Sequence, residues 1–146
     1  MQKDKIRNLE EKARGLRQRI IKMIYKARAS HIASAYSVLE TLIYLYDSVL
    51  KVNPKNSKGA NRDRFILSKG WAASALYAVL ADKGFFNMKE LDSYCMNGSK
   101  FIGITTMSGV PGIETTTGSM GHGLPVGAGM ALAAKKTKNS APLHPI

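Results

Sequence analysis

The chain has 146 residues, 45% of them hydrophobic and 22% charged, which is enough for one domain with a packed core. No apolar run approaches the roughly 20 residues of a membrane-spanning helix, and the charged beginning of the chain does not resemble a signal peptide. The single cysteine, Cys95, excludes an internal disulfide and a multi-cysteine metal site, so we expect a buried thiol and a cytoplasmic protein without membrane contact.

The formal net charge of +12 raises the alternative of a basic, helical nucleic-acid-binding protein. Ten of the lysines and arginines fall between residues 3 and 28, and Lys135, Lys136 and Lys138 lie near the other end of the chain. Neither cluster has the interleaved aromatic side chains on which single-stranded nucleic acids stack. We therefore interpret the charge as a solvated helix face and expect no nucleic-acid partner.

A long amphipathic helix is predicted over residues 4–28, because apolar residues recur there at spacings of three and four. They are Ile6, Leu9, Ala13, Leu16, Ile20, Ile24 and Ala27. The small residues of 29–35 break this period. Ser37 then resembles an N-cap, with Glu40 in the capping-box position, for a second helix over residues 38–50.

A strand, a turn and a helix are predicted in the middle of the chain. The short apolar run 65–67 indicates a buried strand, and a helix is expected over 71–83 with Gly84 as its stop signal. This step is typical of an α/β sheet, whose ligands bind beyond the carboxyl ends of the strands. Residues 88–94 are predicted as a short helix and 101–104 as an extended segment.

Residues 109–136 combine a loop rich in glycine and threonine with a helix of small and apolar residues, which should be buried. Outward-facing amides before a buried helix N-terminus suit a small-molecule anion, although the standard phosphate-binding glycine motifs are absent. Alternatively, the glycines only allow close helix packing. Residues 139–146 have no period and contain two prolines, so we expect a disordered tail after a domain over residues 1–138.

Several motifs in one order resemble the N-terminal, thiamine-diphosphate-binding section of transketolase. They are SHIASAYSVLETLIYLY, DRFILSKGWAASALYAVLADKGFF, ELDSYCMNGSKFIG and PGIETTTGSMGHGLPVGAGMALAAK, within a match that runs over residues 20–136. The resemblance implies an α/β thiamine-diphosphate-binding fold, with a parallel sheet flanked by helices, of which residues 1–138 form a part. It further implies a partner chain that carries the pyrimidine-binding and C-terminal domains.

The resemblance also implies roles for individual residues. His31 occupies the position of the family's G-H-x-G histidine, which reaches the substrate and the reaction centre, with Ser30 in place of the leading glycine. Trp71 stands at a cofactor-binding position near the diphosphate, and His122 replaces the glutamine of G-Q-G in the substrate pocket. The family's G-[PS]-[LM]-G loop lies along thiamine diphosphate, and the matching residues here are Gly118, Ser119, Met120 and Gly121.

Two of the family's histidines are replaced here, one by Trp71 and one by Ile104. Tryptophan offers only a donor and a stacking face and isoleucine offers neither, so we expect a divergent branch with its own acceptor sugar. The family binds magnesium through a G-D-G motif and a later asparagine, which do not occur before Ile146. We expect this chain alone to bind thiamine diphosphate and Mg²⁺ poorly or not at all, although the complete enzyme requires both.

Each site residue also has a structural interpretation. His31 would then be a satisfied buried histidine, Trp71 a core residue and His122 a packing residue at a helix start. Lys69 and Glu114 are interpreted as surface or structural pairs rather than catalytic groups.

The function predicted by the resemblance is transfer of a two-carbon ketol unit between sugars or sugar phosphates. The cofactor's C2 carbanion would add to a ketose carbonyl while histidines stabilise and protonate the alkoxide, and the activating glutamate would come from the partner chain. A homo-oligomer is expected too, because helix 121–134 is apolar on both faces. The alternatives are a non-catalytic assembly subunit or fold relic of the same family, and the nucleic-acid-binding protein considered above.

Overall fold

The computed structural model describes residues 2–107, 109–137 and 143–145. Its α-helices are α1 (Gln2–Ala27), α2 (Ile32–Tyr36), α3 (Leu39–Tyr44), α4 (Ala73–Asp82) and α5 (Gly123–Lys136). A π-helical turn, Leu45–Val49, continues α3, and short 3₁₀ turns cover Pro54–Asn56, Gly70–Ala72 and Met88–Ser93. The strands are β1 (Arg64–Ile66) and β2 (Leu143–Pro145). No helix among these residues is long and apolar enough to cross a membrane.

Helix α1 confirms the amphipathic helix predicted over residues 4–28. Ala13, Leu16, Ile20 and Ile24 are buried in the core, as their spacing requires. Ile6 departs from the pattern, since it is 52% exposed. It borders a groove of about 640 Å³ between α1 and α3 that contains none of the predicted site residues.

Helix α4 lies at the centre of the molecule. Every residue from 73 to 81 is buried, and the helix packs against α1, α2 and α3. It ends as predicted at Gly84, which has a φ of 87°. The Gly84 N–H donates to the Ala81 carbonyl and the Phe85 N–H to the Leu80 carbonyl, both at 3.0 Å. These bonds satisfy the last carbonyls of the helix, and the left-handed backbone at Gly84 suits glycine.

The capping box predicted at Ser37 and Glu40 is wrong. Ser37 follows the last residue of α2 and donates its hydroxyl to the Ser34 carbonyl at 3.0 Å. Glu40 instead forms an ion pair with an arginine of α1. The structure has a capping box at Asn87 and Glu90, before the 3₁₀ turn that replaces the short helix predicted over 88–94.

The sheet is small in the described part of the chain. β1 and β2 pair in parallel, with Arg64 opposite Leu143 and Ile66 opposite Pro145. The predicted extended segment 101–104 forms no strand, and its Ile104 carbonyl accepts a hydrogen bond from the buried Tyr77 side chain. β2 is a strand within the predicted disordered tail, 139–146, whose other residues lie outside the described ones.

A cluster of four charges joins α1, the π-helical turn and α4. The Lys12 Nζ contacts Asp47 Oδ2 at 2.5 Å and Asp82 Oδ2 at 2.9 Å, while Lys83 Nζ contacts Asp47 Oδ1 at 3.1 Å. Burial by itself raises the pKa of Asp47, but the hydrogen bonds from both lysines outweigh it and the pKa is lowered. The cluster therefore holds the long helix against the central one.

Candidate functional site

The candidate site is organised by the turn of residues 68–71, which follows β1. At Gly70 an added Cβ would lie 2.8 Å from the carbonyl carbon of Thr117 and 2.9 Å from the Cα of Gly118. Real Cβ atoms do not come so close to backbone, so only glycine fits at this position. The 68–71 turn and the loop at Thr117 are thus in direct backbone contact, although they are far apart in the sequence.

Two buried threonines fix that loop. The Thr117 hydroxyl donates to the Leu67 carbonyl at 2.5 Å and is bonded to the Thr105 hydroxyl, while the Thr117 N–H donates to the Thr105 carbonyl at 3.1 Å. Because both side chains are almost fully buried and bonded, they form a satisfied polar network inside the core. The network ties the loop to the end of β1 and to segment 101–107.

His31 and Trp71, which the sequence assigns to one pocket, are in contact. Their ring centroids are 4.6 Å apart, with 53° between the ring planes. His31 precedes α2 with a φ of 76°, a left-handed backbone that residues other than glycine seldom adopt. Trp71 is 47% exposed, so it is not a core residue. The pair forms a partly open aromatic wall at the carboxyl end of β1.

Lys69 contacts the other end of α2. Its Nζ donates to the Ser37 hydroxyl at 2.7 Å, so the 68–71 turn holds this short helix at both ends. The interpretation of Lys69 as a structural pair agrees with this contact. Glu114 is likewise structural in its contacts, since its buried carboxylate pairs with Arg62 and Arg64.

The loop of residues 118–121 presents its backbone to solvent. A Cβ at Gly118 would overlap the Ile104 Cδ1, so the chain crosses Ile104 closely there. Met120 is 91% exposed, and Gly121 has a φ of 84°. Among the described residues, the N–H groups of Ser119, Met120 and Gly121 have no hydrogen-bond partner. This loop can therefore donate hydrogen bonds to a ligand that lies along it.

The first turn of α5 is poorly suited to the anion site considered from the sequence. The His122 N–H donates to the Ser119 carbonyl, the Gly123 N–H to the Ser68 hydroxyl and the Leu124 N–H to the Gly121 carbonyl. Proline at 125 has no N–H to offer. The other interpretation of these glycines, that they allow close packing, agrees with the contact at Gly123. A Cβ added there would lie 2.7 Å from the Ser68 Cβ.

Two burial predictions are wrong. Helix α5 was expected to be buried, yet within it only Gly123 and Gly127 are, and Leu132 is 63% exposed. Cys95 was expected to be a buried thiol and is exposed, in a turn where its φ is 54°. Apolar composition permits burial, but whether a surface is covered depends on the elements that surround it.

The contacts join some predicted site residues and leave others apart. The 68–71 turn links His31, Trp71 and loop 118–121, whereas His122 is exposed before α5 and contacts neither ring. Sequence reasoning did not assign Ser30, Ser68, Thr105 or Thr117. The position of Ser68 directly after the predicted strand could have indicated a site residue, because ligands bind beyond the carboxyl ends of such strands.

The described residues suit one part of thiamine diphosphate better than another. The exposed 118–121 backbone and the Trp71 ring offer hydrogen-bond donors and a flat face, which fit the aromatic rings of that cofactor. For the diphosphate, the α5 amides are already bonded and Lys69 is engaged. In the described part of the chain, no group of three or more His, Cys, Asp or Glu side chains could hold a metal ion.

Comparison with known proteins identifies the family. The family model described as "Transketolase, thiamine diphosphate binding domain" matches residues 9–142. The chain therefore belongs to the family of transketolase thiamine-diphosphate-binding domains. This confirms the resemblance seen in its motifs.

The relatives also show how much of a complete protein the chain represents. It is 43% identical over 133 residues to a subunit of the apulose-4-phosphate transketolase of Phocaeicola vulgatus, covering 91% of this chain and 47% of that protein. It is 37% identical over 128 residues to "6-deoxy-6-sulfo-D-fructose transketolase subunit SqwG" of Clostridium sp., covering 88% and 46%. The chain thus spans about half the length of these curated relatives.

A solved structure supports the fold. The transketolase of Leishmania mexicana superimposes with a TM-score of 0.80 at 26% identity, covering 94% of this chain and 22% of that one. The described helices and β1 therefore have the arrangement of a thiamine-diphosphate-binding fold. The predicted parallel sheet flanked by helices is present among the described residues only as the β1–β2 pair.

We predict that Gly70→Ala destabilises the protein by about 1–3 kcal/mol or more, because the new methyl group meets backbone that cannot move aside. Chemical denaturation would measure the free energy of unfolding. Gly15→Ala is the matched control, since a Cβ there meets nothing within 4 Å and alanine favours the middle of α1. Equal effects of the two substitutions would show that the 68–71 turn and the loop are not in tight contact.

Proposed function

We propose that this chain supplies the thiamine-diphosphate-binding part of a transketolase-type enzyme, which transfers a two-carbon ketol unit between sugars or sugar phosphates. The observation that carries the proposal is the contact of Gly70 with the backbone at Thr117 and Gly118. It connects the turn that carries Trp71, which contacts His31, to the loop whose amides are free. Family membership and the names of the relatives support the same reaction class.

In this proposal the described residues have separate roles in binding the cofactor and the substrate. Gly118, Ser119, Met120 and Gly121 would contact the cofactor through their backbone, and Trp71 would contact it from the 68–71 turn. When bound, thiamine diphosphate supplies the nucleophilic carbon needed to break and form carbon–carbon bonds. His31 stabilises negative charge on the substrate oxygen and exchanges a proton with it, and His122 contacts the substrate from the start of α5.

The rest of the site would come from outside this chain. Relatives are named as subunits of transketolases, which supports a complete enzyme with a partner chain. In this proposal the partner chain carries the pyrimidine-binding domain. Magnesium and the diphosphate contacts belong to that complete enzyme in this proposal. We also propose a cytoplasmic location, as the composition of the sequence predicts.

A two-fold homodimer is part of the proposal as well. Helix α5 exposes Leu124, Ala128, Ala131 and Leu132, which form an apolar surface that association would cover. A non-catalytic assembly subunit would share this surface, so only turnover separates that alternative from an enzyme part.

We expect His31→Ala to lower turnover by about 10²-fold or more in the enzyme assembled with its pyrimidine-binding partner, because a positioned proton-transfer group is lost. Steady-state transfer between ketose donor and aldose acceptor would measure it. Tyr25→Ala, on an exposed side chain of α1, is the control and should leave turnover unchanged. An assembled complex without any turnover would favour the non-catalytic alternative, and full activity of His31→Ala would remove His31 from the mechanism.

Trp71→His should shift the acceptor preference of the assembled enzyme by about 10-fold or more towards that of ordinary transketolases, because it restores an imidazole to the cleft. Relative turnover on a panel of neutral and phosphorylated aldoses would show the shift. Trp71→Phe keeps a ring without a polar atom and serves as the control. Since Trp71 is half-exposed, both variants should fold. An unchanged acceptor ranking would mean that Trp71 does not shape the acceptor site.

Ala131→Glu should convert the proposed dimer to monomers, because it places a charge on the exposed apolar face of α5. Multi-angle light scattering at tens of micromolar would give the mass. Gly127 is unsuitable for this test because it is buried, so a charge there would also unfold the chain. Ala60→Glu, in an exposed turn, is the matched control. A monomeric unmodified chain, or an Ala131→Glu variant of unchanged dimeric mass, would contradict the placement of the interface.

A further inference from the structure

We propose that Ser30 is a positioning residue for His31: its hydroxyl donates to Nδ1, which leaves Nε2–H as the donor that His31 presents to the substrate oxygen. The hydrogen bond to the substrate rests on the proposed function, whereas the contact between Ser30 and His31 does not. That contact is the hydrogen bond between the neighbouring side chains of Ser30 and His31.

The contact is direct and short. The Ser30 Oγ lies 2.7 Å from the His31 Nδ1, within the normal range for a hydrogen bond to a hydroxyl. The Ser30 hydroxyl has no other partner among the described residues, and neither does the Nε2 of His31. The tautomer of a neutral imidazole is set by the hydrogen bond that its other nitrogen makes. A hydroxyl can donate to Nδ1 or accept from it, and the proposal assigns the donating direction, which places the ring proton on Nε2.

The Trp71 ring contacts the same imidazole. The two centroids are 4.6 Å apart with 53° between the ring planes, and His31 has a left-handed backbone immediately before α2. The imidazole thus has one hydrogen bond and one ring contact. A backbone conformation of this kind persists only where neighbouring groups determine it.

For the reaction, this tautomer fixes the direction of the hydrogen bond between His31 and the substrate. A neutral imidazole with its proton on Nε2 donates a hydrogen bond to a carbonyl or hydroxyl oxygen and cannot accept one at that atom. His31 would then bind the substrate oxygen as a donor from the start of the reaction. A glycine at position 30 offers no side chain that could impose this choice.

The test is the tautomer of His31, measured by long-range ¹⁵N–¹H correlation spectra of the full chain labelled in histidine, at alkaline pH where the imidazole is neutral. We expect the Nε2–H form to dominate. Ser30→Ala should change the tautomer ratio by about 2- to 12-fold, the range of one net hydrogen bond. Ser30→Thr, which keeps the hydroxyl, should restore the ratio.

Controls separate this effect from a change in folding. Ser34→Ala removes a hydroxyl without a side-chain hydrogen-bond partner from the adjoining helix α2 and should leave the ratio unchanged, and the signals of exposed His122 should not move in any variant. A dominant Nδ1–H form, or the same ratio with and without the Ser30 hydroxyl, would overturn the proposal. Because the spectra need neither cofactor nor partner, this result is independent of whether the assembled enzyme proves active.

Discussion

The close approach of Gly70 to the backbone at Thr117 and Gly118 is the constraint on which the candidate site depends. It joins a turn at the end of β1 to a loop some fifty residues later in the chain. Through this contact the position of Trp71, and with it His31, is tied to loop 118–121. A larger side chain at position 70 would push the 68–71 turn away from the loop at Thr117 and Gly118.

The scaffold behind this contact is rigid because its interior is both apolar and hydrogen-bonded. Helix α4 starts directly after the 68–71 turn and is buried along nearly its whole length. Thr105 and Thr117 carry their hydroxyl groups into the same core, where each has a partner. An unpaired hydroxyl at such a depth would cost about 1–3 kcal/mol, so the threonines hold the loop as long as both remain. Precise placement of loop amides is what binding along a backbone requires.

Helix α5 is packed against the rest of the structure at its first residues and is largely exposed beyond them. It anchors the loop at one end through Gly123, which packs on Ser68, while most of its remaining positions are exposed. The first turn of this helix therefore adjoins loop 118–121, and the rest of it carries an exposed apolar face. In the proposed dimer, the partner that covers α5 would contact the element that follows loop 118–121.

The sequence by itself determined the family, the long amphipathic helix, the stop at Gly84 and the grouping of His31 with Trp71, because these depend on local spacing and on motifs. The exposure of α5 and of Cys95, and the failure of Ser37 to cap a helix, could not be read from the sequence. Composition permits burial without requiring it, and a serine before an apolar run caps a helix only if its hydroxyl faces that helix, whereas Ser37 bonds to Ser34 and Lys69. The three-dimensional structure alone decided these points, since exposure depends on which elements pack together and the Ser37 hydroxyl is also held by the distant Lys69. The same holds for Gly70, which in sequence is one more glycine in a turn and in the fold is the point where two backbones meet.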